Sequence, residues 1–252
     1  MAKSTGWIPQ QHGAWAMIAV PYLTGLALTA RVRPLGLGDL FLGLTWLVGY
    51  FAFNAATLTL KAPAKRRSRY YVPLATYLGG AGAFGIITLV FKGWPLLCWV
   101  PAYAVVLGLS LWLAGSKRER GLLSGVLTIV ASCGLMGVLR VSPGAAPLTA
   151  AEATTMAAVT LYFVGTVLHV KALIRERNDP GSARRSLTYH AGFMALIVVA
   201  VSLGWLAWPW VVWAALLVAR AWWMPRSKRT PMQIGLLEIA MSAALLALVF
   251  LG

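Results

Sequence analysis

The stretch HVKALIRERNDPGSARRSLTYH, residues 169–190, decides how the chain is read. It joins two apolar segments and holds His169 and His190, two of the three histidines. It also holds the bases Lys171, Arg175, Arg177, Arg184 and Arg185, and two of the six acids, Glu176 and Asp179. In a chain that is 60% hydrophobic and 11% charged, such a density of charge marks a polar connection between membrane segments. It is also the main functional signal.

Outward from it, the composition excludes a water-soluble domain. A mean hydropathy of +0.75 leaves too little charge to cover the surface of a soluble fold. The apolar runs follow end to end, so residues 1–252 read as a single transmembrane unit. An all-α polytopic integral membrane protein is expected, because a chain in lipid must satisfy its backbone hydrogen bonds within each segment. A membrane β-barrel would alternate apolar and polar residues, and these runs are apolar on all sides.

A spanning helix needs about 20 residues, and nine spans are expected: about Ala14–Ala30, Leu40–Leu60, Tyr71–Phe91, Pro95–Gly115, Gly121–Leu139, Ala151–Val170, Leu187–Ala207, Trp210–Trp223 and Gln233–Gly252. The first follows a single lysine with no small-residue cleavage site, so it is expected to be retained. The eighth is short, and Trp208, Pro209 and Trp210 beside it suit an interfacial aromatic belt. Cys98 and Cys133 fall inside apolar runs and read as buried thiols, and no metal site is expected from their spacing.

A formal charge of +16 suggests nucleic acid, but the bases sit in short connections and form no soluble basic domain. No nucleic-acid partner is expected. The connections after the second, fourth, sixth and eighth spans carry most of them, from Lys61, Lys65, Arg66, Arg67 and Arg69 through to Arg226, Lys228 and Arg229. By the positive-inside rule these loops face the cytoplasm. The chain is then a multi-pass protein of the cytoplasmic (inner) membrane, N-terminus inside and C-terminus outside, attracted to anionic head groups.

Several polar residues stand out against this background. His12, in PQQHGAWAM, directly precedes the first span, where Gly13 lets the backbone bend and Trp15 can anchor. Asn54 is an amide near the basic end of the second span, followed by Lys61 and by Pro63, which ends or bends that helix. Lys171, Arg175 and Asp179 recur every four residues, with His169 and Glu176 on a neighbouring face, if the sixth helix continues past its apolar run. Glu238 is the one acid well inside an apolar segment. A charge there costs roughly 2.5–3.5 kcal/mol, so it needs a partner, and Arg220 on the eighth span is the plausible one. Asp39 and Glu152 read as exposed caps without a role.

PQQHGAWAM, together with HVKALIRERNDP, resembles the YwiC-like family of bacterial membrane proteins over most of the chain. That resemblance implies a membrane protein and no particular chemistry. Nine spans with polar loops after the second, fourth and sixth are more distantly similar to the UbiA superfamily of intramembrane prenyltransferases. The resemblance implies a prenyl diphosphate held through Mg²⁺ by two aspartate-rich motifs. Asn54 stands where the first motif begins, and Pro73–Leu74 resembles its end. RGLLSGVL from Arg120 resembles the family's stretch into the fifth helix. Asp179 and Arg184–Leu187 resemble parts of the second motif. The aspartates expected after Asn54 are replaced by Ala55, Leu58 and about Ala62, and Arg175 takes another.

The expected architecture is therefore a UbiA-like bundle with a cytoplasm-facing cavity for an isoprenoid or other anionic lipid phosphate. Lys61, Lys171 and Arg175 would hold the phosphate directly. Asn54 would orient it, His12 or His169 would handle protons, and Glu176, Asp179 and Glu238 would complete the polar lining. A cofactor and a protein partner are not defined. Group transfer stays open against two non-catalytic alternatives. One is a transporter or flippase with Glu238 as coupling carboxylate and broken helices near Pro21 or Gly79–Gly80. The other is a scaffold subunit.

Overall fold

The computed structural model describes residues 6–9, 14–116, 122–141, 145–227 and 229–251. His12, Gly13, the basic connection holding Lys117, Arg118 and Arg120, and Lys228 lie outside the described residues. The rest is helical, with no strand among the described residues.

The nine expected spans are nine helices: α1 (Ala14–Ala30), α2 (Leu37–Lys61), α3 (Ser68–Lys92), α4 (Val100–Gly115), α5 (Leu122–Arg140), α6 (Ala150–Ile174), α7 (Pro180–Ser202), α8 (Pro209–Trp223) and α9 (Pro231–Leu251). Seven helical segments are long and apolar enough to cross a bilayer, α4 reaching that length with the 3-10 turn Trp94–Trp99 before it. The chain is a multi-pass helical membrane protein. Successive helices that each cross the bilayer define two sides. One bears the basic connections 62–67, 175–179 and 224–230, and the other bears those at 31–36 and 93–99.

Three boundaries differ from expectation. The polar stretch 169–190 is mostly helix. α6 runs on through His169 and Lys171 to Ile174, and α7 starts at Pro180 and not near Leu187. Asp179 and Pro180 explain the early start. The Asp179 carboxylate accepts from the Gly181 amide at 2.9 Å, and proline suits the first helical position because its missing N–H would have no partner there. α1 and α3 also run unbroken through Pro21 and Gly79–Gly80, so the expected helix breaks are absent. Bilayer helices tolerate such residues because neighbouring helices, Ser/Thr side chains and local backbone adjustments satisfy any freed backbone group. Cys98 is exposed, contrary to expectation, whereas Cys133 is buried.

Packing is uneven. α2 and α3 form a hairpin with α4 beside it, and most of α3 faces outward. The main core lies among α1, α5 and the four helices α6–α9. There Tyr162, Phe163, Phe193, Trp210, Trp213, Leu217 and Leu245 interdigitate. α1 meets α5 at Gly25, where a Cβ would stand 2.6 Å from Leu139 Cδ1 and 3.1 Å from the Met136 Cα. Gly25→Val is accordingly expected to cost roughly 1–3 kcal/mol by overpacking. Gly49→Ala, which meets nothing within 4 Å, should be neutral or stabilising. Thermal unfolding of the two variants in detergent checks the contrast.

Asp39 and Glu152 are caps, as expected, but they are buried, at 2% and 5% exposure. Each sits at a helix start beside the end of a neighbouring helix that delivers a cation. Lys92 ends α3 and reaches Asp39 at 2.8 Å, with Arg33 at 2.6 Å. Arg140 ends α5 and reaches Glu152 at 2.6 Å. In a low-dielectric setting a capping carboxylate is buried only with such a partner.

Candidate functional site

The core of α6–α9 contains polar side chains in an unbroken chain. On α7, Ser182, Ser186 and His190 recur every four residues, so they share one face, and all three are buried. His190 Nδ1 lies 2.7 Å from the Ser186 carbonyl oxygen. A carbonyl only accepts, so Nδ1 carries the proton and Nε2 is left as an acceptor. Arg220 of α8 donates to that Nε2 from Nη2 at 3.1 Å. Its Nη1 donates to Glu238 Oε1 of α9 at 2.5 Å. Thr166 of α6 donates to the other carboxylate oxygen at 3.3 Å. One turn further along α9, the Ser242 and Tyr162 hydroxyls are 2.9 Å apart. The expected pairing of Glu238 with Arg220 is thus present, and His190 is its unexpected third member.

His169 joins this chain from α6. It is wholly buried, its Nδ1 3.2 Å from the Ser186 hydroxyl and its ring 5.7 Å from the His190 ring. Two groups in the cluster have no hydrogen-bond partner, His169 Nε2 and Arg220 Nε. His169 lies a turn and a half from the end of α6 and Glu238 about two turns from the start of α9, so the cluster sits roughly 8–10 Å inside the helix ends on the basic side. Leu173, Met224 and Ile234 form a small apolar cluster at that side. Tyr162, Phe193, Trp210 and Trp213 pack on the opposite side.

The other expected site residues are placed differently. Lys171 turns away from His169, because two residues on a helix point roughly 200° apart. Its Nζ pairs with Glu176 at 2.7 Å. Glu176 also accepts from Ser182 at 2.5 Å, and Lys171 and Ser182 hold its carboxyl below the usual range. Arg185 lies 3.6 Å from Glu176 and 3.0 Å from Asp179. Arg175 is exposed. Asn54 and Lys61 are half-buried on α2, whose main neighbours are α3, α4 and α1. The structure therefore brings His169 to Glu238 through Ser186, His190 and Arg220. It does not bring Asn54 and Lys61 to the Lys171–Arg175 turn as one pocket mouth.

The Mg²⁺ implied by the prenyltransferase resemblance does not fit these residues. Hard cations need several free oxygens. The carboxylates of Glu176 and Asp179 are already held by Lys171, Ser182, Arg185 and the Gly181 amide, and α2 supplies no carboxylate near Asn54. Among the described residues no three His, Cys, Asp or Glu side chains gather as a metal site.

A polytopic helical protein with an ionised pair and two histidines sealed in its core is the class defined by this fold and site. Residues 8–141 match the YwiC-like protein family. The uncharacterized protein YwiC of Bacillus subtilis (strain 168) is 31% identical over 245 residues, covering 97% of each chain. An uncharacterized protein of Haemophilus influenzae (strain ATCC 51907 / DSM 11121 / KW20 / Rd) is 30% identical over 250 residues, covering 97% of this chain and 98% of that one. The chain belongs to the YwiC-like family. No solved structure matches it, so the resemblance to the UbiA superfamily finds no structural support.

Proposed function

We propose that the chain is a proton-coupled carrier of the cytoplasmic membrane, with its basic side and N-terminus in the cytoplasm and its C-terminus outside. The observation that carries this reading is the buried His190–Arg220–Glu238 chain. Ionisable residues are costly in a bilayer and are usually kept there for moving charge. This arrangement ties the arginine's position to proton count. A proton on His190 Nε2 would turn that atom into a donor facing a donor, so Arg220 Nη2 would have to leave. A proton on Glu238 would likewise remove the charge that holds Nη1. Either event frees the guanidinium, and its unpartnered Nε, for a solute or for a second helix arrangement. The apolar cluster on one side and the aromatic layer on the other would act as the two gates.

The test uses protons as the probe. Purified protein in liposomes on a solid-supported membrane should give a transient current after a pH jump. Glu238→Gln, which keeps the shape and removes the charge, should abolish it. A current equal in the variant, or no larger than in protein-free liposomes, sinks the reading.

A further inference from the structure

We infer that the cleft between the α6–α7 and α8–α9 connections is a binding site for the phosphate head group of an anionic phospholipid. The inference is independent of the proton-coupled reading. The cleft has a volume of about 580 Å³, within the range of small-molecule sites. Arg177, Arg226 and Arg229 line it with Thr230, whose oxygen accepts from the Gln233 amide and whose hydrogen is left to donate, while the Ser227 hydroxyl donates to the Met224 carbonyl oxygen.

Charge balance argues that something anionic is missing there. The chain has only six acids against 22 bases. The carboxylates of Asp39, Glu152, Glu176, Asp179 and Glu238 are each engaged in an ion pair elsewhere. Among the described residues none reaches Arg177, Arg226 or Arg229, so three guanidinium groups share a cleft without a carboxylate to neutralise them.

Their geometry points to an oxyanion. Arg226 stacks over the Trp222 ring at 4.3 Å and Arg229 over the Trp223 ring at 4.8 Å. Stacking uses the flat face of a guanidinium, while its N–H groups point outward in the plane, the fork that matches phosphate oxygens. Arg226 is further fixed by a hydrogen bond to the Trp222 carbonyl oxygen. Thr230 closes the cleft at the start of α9, a 21-residue helix whose positive end favours anions.

The surroundings favour a lipid over free phosphate. Trp222 and Trp223 are about half exposed at the end of α8, as expected of an aromatic belt at head-group depth. Beneath Trp223, exposed Leu216, Ala219 and Val212 form a stripe spaced at helical turns along α8. Acyl chains could lie along that stripe while the phosphate sits among the arginines.

Titration of the full-length protein in detergent with dioctanoyl phosphatidylglycerol, followed by native mass spectrometry, tests this. The expected result is saturable binding, weakened at least tenfold in Arg177→Gln/Arg226→Gln/Arg229→Gln. A control of equal charge loss, Arg66→Gln/Arg67→Gln/Arg184→Gln, should bind as the parent does. The inference is overturned if the two triple variants behave alike, if dioctanoyl phosphatidylcholine binds equally well, or if glycerol phosphate displaces the lipid at equal concentration. The last result would assign the cleft to a soluble phosphate. Size-exclusion profiles and helical circular dichroism confirm that each variant is folded before it is titrated.

Discussion

Replacing Arg220 by methionine should lower stability by roughly 3–5 kcal/mol, the usual loss when one partner of a buried pair is removed. Glu238 would then keep only the Thr166 hydroxyl, in a site 8% exposed, and His190 Nε2 would lose its donor. The loss comes chiefly from the stranded charge and not from the missing contact. Arg220→Met combined with Glu238→Leu should therefore regain most of it, because apolar pairs of similar volume often replace buried ion pairs without net cost. Unfolding by sodium dodecyl sulfate in mixed micelles, measured for both singles and the double, gives the coupling energy. Single and double variants equally unstable would mean that this pair is not held by mutual charge. Such a pair is retained at an energetic cost that packing alone does not require, which is why it reads as machinery.

How much of this was visible in the sequence depends on the kind of signal. The spans were legible because lipid demands long apolar runs, and Glu238 was legible because a charge stands out inside one. Even its partner could be named, since Arg220 is the base within the neighbouring span. His190 was missed because, although it falls within the expected span Leu187–Ala207, it also closes the polar stretch 169–190 and was given no partner in the core. The corrective signal lies in Asn178, Asp179 and Pro180, a cap followed by a proline, which start a helix. From there Ser182, Ser186 and His190 mark one buried face at every fourth residue. The spacing puts His169 and Lys171 on neighbouring faces of one helix, yet the helix turns them to opposite environments, His169 into the core and Lys171 to Glu176. The joining of Asn54 and Lys61 to that turn was a guess about tertiary contact, on which composition and spacing are silent. Asp39 and Glu152 failed differently. Each was correctly placed at a helix start, but the cation that lets it be buried comes from the end of another helix. Nothing local reveals it.

Arg140 offers the contrasting case, and its substitution should not be rescued. Its guanidinium is 2% exposed and grips Glu152 with both arms, Nε to Oε1 at 2.6 Å and Nη2 to Oε2 at 2.8 Å. It also donates to the carbonyl oxygens of Ala146 at 2.9 Å and Pro147 at 3.1 Å, and so pins the connection leading into α6. Glu152 meanwhile accepts from the Thr149 amide at 2.9 Å, closing the capping box of that helix. Arg140→Met should cost roughly 3–5 kcal/mol, as at Arg220. Arg140→Lys should recover little, since an ammonium lacks the planar fork that serves a carboxylate and two carbonyls together. The double variant Arg140→Met/Glu152→Met should stay destabilised, because it still leaves the Ala146 and Pro147 carbonyls without a donor and the Thr149 amide without its acceptor. The same unfolding titration decides the matter. A double variant restored to parental stability would reduce Arg140–Glu152 to an interchangeable charge pair, whereas a persistent deficit identifies it as the clasp between α5 and α6.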